Sequence, residues 1–167
     1  MSRMSALETN RGRANGGGAA VRFIHPIAGG IAMLTILCFW IATVASEASG
    51  SADLIITVKT LIPWGFLILV PALAAVGSSG FALASGGHGR RLKAKRLRMK
   101  VIALNGLLIL VPSAFFLSWK AEAGAFGLAF VIVQALELLA GAVNITLMTL
   151  NMRDGFALTG RLRQQRG

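Results

Sequence analysis

Four apolar runs decide what this chain can fold into. They lie at about residues 23–45, 58–84, 99–119 and 125–151, and each reaches the roughly 20 residues that an α-helix needs to cross a bilayer's hydrocarbon. Backbone polar groups inside lipid must be satisfied within the segment, so runs of this length become helices. Hydrophobic residues make up 55% of the chain and mean hydropathy is +0.71, an excess that a water-soluble domain of 167 residues has no interior to hide. The expected fold class is all-α: a polytopic membrane protein, folded as an antiparallel four-helix transmembrane bundle over residues 21–152.

The net charge of +11 raises the alternative of nucleic-acid binding, and its placement decides against it. Arg3, Arg11, Arg13 and Arg22 precede the first run. Arg90, Arg91, Lys93, Lys95, Arg96, Arg98 and Lys100 lie between the second and third, and Arg153, Arg161, Arg163 and Arg166 follow the fourth. Of the 17 basic residues only Lys59 and Lys120 remain, both assigned to the opposite-side loops with Glu47, Asp53 and Glu122. Basic residues in short loops stay cytoplasmic, which orients the chain N-in and C-in. No aromatic residues interleave the basic run as stacking platforms would require, so no nucleic acid is expected as a partner. Residues 1–20 are Gly-rich and polar and read as a disordered cytoplasmic arm, and residues 153–167 as a basic cytoplasmic tail. The first apolar run is longer than the 7–15 or so residues of a signal peptide's apolar core, so it is expected to be retained.

"GFLILVPA" at residues 65–72 and "GLLILVPS" at residues 106–113 repeat a proline within an apolar run. Proline lacks an N–H and leaves the carbonyl four residues earlier unpaired, so bends are expected at Pro71 and Pro112. Adjacent spans bearing the same motif also suit an inverted repeat of the transporter kind.

The fourth run carries Gln134, Glu137, Gly141, Asn144, Met148 and Asn151 at alternating spacings of three and four, which puts them on one helical face. Asn105 on the third run falls at the depth of Asn144. These residues, with Glu137 at mid-membrane, form a candidate intramembrane polar network. It serves either as interhelical hydrogen bonds or as a proton or cation relay. Without a basic residue at the same depth, Glu137 is expected to be a protonated hydrogen-bond donor. Cys38, the lone cysteine, is expected to be a small buried packing residue, and Trp40, Trp64 and Trp119 to be interfacial anchors.

"VRFIHPIAGG" opens the first run with Arg22, His25 and Pro26. This opening resembles the first helix of small b-type cytochromes of bacterial inner membranes, and the resemblance implies haem b with His25 as an axial ligand. Spans two to four contain no histidine, so the second ligand would be His88, Met148 or Met152. With two histidines the chain does not supply a catalytic zinc set, and it shows no Ser-His-Asp arrangement, P-loop or dinucleotide fingerprint. The whole chain is similar to small four-span proteins of bacterial inner membranes, which implies that location and names no activity. The leading expectation is a non-enzymatic inner-membrane protein without a cofactor, an accessory or interaction subunit contacting the lipid bilayer and a protein partner or copies of itself. A haem-binding electron carrier and a proton- or ion-coupled transporter are the alternatives.

Overall fold

The computed structural model describes the backbone of residues 3–84 and 90–164, and the side chains of residue 21, residues 23–80 and residues 93–157. The described elements are all helical: α1 (Arg3–Ser49), α2 (Ala52–Ala84), α3 (Arg90–Asn105), a π-helical segment (Gly106–Leu110), α4 (Val111–Glu122) and α5 (Leu128–Gln164). Four stretches are long and apolar enough to cross a membrane, namely Phe23–Ser49, Ala52–Gly80, Lys93–Glu122 and Leu128–Ala157. The first has 27 residues and extends about 40 Å at 1.5 Å per residue, the hydrocarbon thickness plus part of each interface. α1 begins at Arg3, so its helical path runs through the stretch whose composition predicts a disordered arm.

The helices close into a ring. α1 packs along α2, α2 against α4, α5 against α3, the π segment and α4, and α1 returns onto α5. His25, midway along α1 at the start of its membrane-long stretch, meets Ser79 near the end of α2, while Thr43 near the end of α1 meets Lys59 near the start of α2. Two glycines make the tight turns: Gly50 (φ 65°) after α1 and Gly124 (φ 63°) after α4. At the second, the Gly124 N–H donates to Ala121 O at 2.9 Å and the Ala125 N–H to Lys120 O at 2.9 Å, the Schellman pattern that uses up a helix's last carbonyls.

Two apolar clusters fill the interior. One joins Ala32, Ile36, Leu69, Ala72, Ile102 and Met148, and the other Ile55, Leu117, Ala121 and Phe130. The outer surface is apolar as well, with Leu34, Leu67, Leu107 and Leu139 exposed, which is the face a bilayer solvates. Trp64 and Trp119 lie on that surface. Two expectations need correction here. Cys38 is exposed on the outer face of α1, because a small residue in an apolar helix is as welcome to lipid as to the core. Trp40 is turned inward: its indole N–H donates to Leu138 O at 3.0 Å, which satisfies the one polar atom that would have held it at an interface.

The two octapeptides fold differently. α2 runs through both Pro63 and Pro71 as continuous α-helix. Ahead of Pro112 the chain widens into the π segment, in which the Val111 N–H donates to Gly106 O, five residues back. The cause lies in tertiary contacts. Asn105 ties α3 to α5, whereas Leu117 and Ala121 of α4 pack with Ile55 of α2. One extra residue between the halves lets each keep its own partner.

Candidate functional site

Polar side chains inside the bundle form three levels along its axis. At the level of the α1–α2 turn, Lys59 is 1% exposed and its ammonium donates to Glu137 Oε2 at 2.5 Å. The ammonium also reaches Thr43 Oγ1 at 3.4 Å. The expectations that Lys59 lies in a loop and that Glu137 has no basic partner are both wrong. The apolar run of residues 58–84 has Lys59 at its very edge, beside the loop. The helix begins at Ala52, so Lys59 sits about 10 Å in, and the bundle interior gives its charge a partner. Glu137 is therefore an ion-paired carboxylate 12% exposed, and not an isolated neutral donor.

One turn further along α5, Trp40 closes over Gly141, where an added Cβ would stand 2.9 Å from Trp40 Cδ1. The middle level follows. Asn105 Nδ2 donates to Asn144 Oδ1 and to Ala140 O, both at 2.8 Å, and Asn144 Nδ2 donates to Ile102 O at 3.4 Å. These bonds lie across the α3–π junction, where the widened turn leaves backbone groups that side-chain amides help to fix. Asn144 is buried, so both of its polar ends have partners within the protein.

The last level is at the opposite end. His25 Nδ1 is 2.9 Å from Ser79 Oγ. The Ser79 hydroxyl also lies within hydrogen-bond reach of Ala75 O and Val76 O of its own helix. A Cβ on Gly80 would stand 3.2 Å from His25 Cε1 and 3.0 Å from Met99 Cε, and Gly29 lies against Val76. The start of the first span thus packs closely on the end of the second around His25. Of the other haem-ligand candidates, Met148 is buried in the apolar core, Met152 is exposed, and His88 lies outside the described residues. Arg98 pairs with Asp154 at 2.7 Å and approaches Asn151 Oδ1 at 3.5 Å. Asn151 thus joins this cluster and not the Glu137 level. Gln134 is buried one turn from Glu137 with no hydrogen bond to its side-chain amide.

The face Gln134–Glu137–Gly141–Asn144–Met148 points inward, but its members do not form one chain of contacts. They bind separately to α2, α1 and α3. Spacing on α5 alone could not supply Lys59, Trp40 or Arg98 as partners, since each comes from another helix. Among the described residues no group of three His, Cys, Asp or Glu is placed to hold a metal.

No protein-family model, curated protein or solved structure matches the chain. What fold and composition define is a class: a multi-pass helical membrane protein with a charged, hydrogen-bonded interior.

Proposed function

We propose that the protein is a non-enzymatic accessory or interaction subunit of a membrane complex, an antiparallel bundle lying N-in and C-in in a bacterial inner membrane. The observation supporting this reading is that most interior polar side chains are committed to neighbouring spans: Lys59 to Glu137, Asn105 to Asn144, His25 to Ser79 and Arg98 to Asp154. A bundle whose polar atoms hold its own helices in register acts through its shape and outer surface. The orientation rests on the basic loops.

A tagged copy at native expression, extracted in mild detergent, is expected to migrate in an assembly larger than one chain in its micelle. Reporters after Arg22, within residues 88–96 and after Arg161 are expected to read cytoplasmic, and one near Ser51 periplasmic. A monomer that by itself drives solute or proton flux in liposomes would overturn the proposal.

The transporter reading has one observation in its favour, the buried pair of opposite charges, since ionisable residues within a membrane commonly mark pathways. Glu137→Gln separates the two readings: a folded but inactive variant favours transport, and an active one removes it. Haem b has only the His25 opening behind it. A Soret band abolished by His25→Ala would support it, and haem-replete protein without that band would retire it.

A further inference from the structure

The level at Lys59 contains polar atoms that the bundle leaves unsatisfied. Gln134 is 6% exposed, yet neither its amide nitrogen nor its amide oxygen has a hydrogen-bond partner. Oε1 of Glu47 is buried in the same condition. Gln134 precedes Glu137 by one turn on the inward face of α5. Glu47 follows Thr43 by one turn on α1 and acts electrostatically on the Lys59 ammonium. Three helices thus bring one ammonium, two carboxylates, a hydroxyl and a free amide to a single level, with negative charge in excess.

The surroundings give this level a floor and an entrance. Below it, the Trp40 indole bonded to Leu138 O and seated on Gly141 closes the interior. Above it, the apolar cap of Ile55, Leu117, Ala121 and Phe130 belongs to α2, α4 and α5, and α1 contributes nothing to it. On the α1 side stand Glu47, half-buried, and then Ser49 and Ser51, both exposed. From the α1–α2 turn inward, α1 therefore carries polar side chains at Ser49, Glu47, Ser46 and Thr43, the last two buried. A buried amide with both ends unbonded is costly in a dry site, and water is the usual partner of such groups where two or more converge.

We propose that Glu47, Thr43, Gln134 and the Lys59–Glu137 pair line an aqueous vestibule, entered along α1 from the α1–α2 turn and ending at Trp40, that admits water and small monovalent cations in preference to anions. Its selectivity follows from the excess carboxylate inside low-dielectric walls, which focus the field on whatever enters. The vestibule goes beyond the accessory-subunit reading and does not depend on it.

The test is thiol labelling of the full chain in membrane vesicles, in a Cys38→Ser background. Gln134→Cys and Thr43→Cys probe the vestibule from two helices, so loss of one variant to misfolding leaves the other. Leu117→Cys, at 0% exposure in the apolar cap, is the dry reference. Both vestibule thiols are expected to react with small water-soluble methanethiosulfonates. The ethylammonium reagent should react at least about tenfold faster than the ethylsulfonate after correction for their intrinsic rates. Adding Glu47→Gln should reduce that preference while keeping the thiols reactive. Labelling of every folded vestibule variant no faster than Leu117→Cys would overturn the proposal, as would a preference that Glu47→Gln leaves unchanged.

Discussion

Lys59→Met removes one side of a buried ion pair and leaves the other in place. With Nζ and Oε2 2.5 Å apart and the two side chains 1% and 12% exposed, the protein encloses the pair and bulk solvent screens it little, even with a few vestibule waters beside it. Charge centres about 4 Å apart attract by about 4 kcal/mol at an effective dielectric constant of 20. Desolvation of both ions offsets most of that, so the pair itself contributes little net stability. Breaking it does not recover the desolvation cost of Glu137, and single losses of this kind cost about 3–5 kcal/mol. Replacing both partners, Lys59→Met with Glu137→Leu, removes the stranded charge and should return the bundle to within about 1 kcal/mol of the parent or above it. The assay is reversible unfolding of all four proteins in mixed micelles, read as a double-mutant cycle. A single variant that loses less than about 1 kcal/mol, or a double variant no better than the single, would refute an ion pair buried in the folded protein.

Three other perturbations of the interior give separate tests, two by the same unfolding assay and one by crosslinking. Asn105→Ala removes the amide that bonds Asn144 and Ala140 O, and the expected loss is about 1–2 kcal/mol, near the upper end for interhelical hydrogen bonds in membranes. Gly141→Val presses a side chain into Trp40, so it should cost about 1–3 kcal/mol, and Trp40→Phe added to it should recover part of the loss by giving the ring room to move. Pro112→Ala restores an N–H beyond the π segment, and any relaxation of that turn rotates Asn105 away from Asn144. Oxidative crosslinking of Asn105→Cys to Asn144→Cys should then fall, whereas unchanged crosslinking would show that packing alone holds the widened turn.

The helical character of the chain and its four apolar spans could be read from the sequence, because a membrane's thickness fixes how long such a run must be. Helix ends were harder to read. The apolar run opens only at residue 58, whereas α2 begins at Ala52 just past the turn at Gly50, so Lys59 lies about two turns inside the helix and not at its edge. The alternation of threes and fours on α5 identifies residues sharing a face, and burial of Gln134, Gly141, Asn144 and Met148 follows it. Which partner each of them meets depends on the rotation of the other helices about their axes, and no pattern within α5 contains that information. The repeated octapeptide illustrates the same limit: nearly the same local sequence around Pro71 and Pro112 ends as α-helix in one place and π-helix in the other, where Asn105 binds α5 while Leu117 and Ala121 pack with Ile55 of α2.

The widened turn at Gly106–Leu110 bears on how this protein can change its length. An α-helix that loses one residue turns everything beyond the cut by about 100°, so a deletion within a packed span carries half of its contacts to the wrong side. A π turn already holds one residue more than the α-helix it interrupts. Removing a residue there converts the turn to ordinary helix and leaves α3 facing α5 and α4 facing α2, each in its original phase. The third span can therefore shorten by one residue at this point without re-aiming either half, a latitude that a continuous α-helix such as α2 lacks.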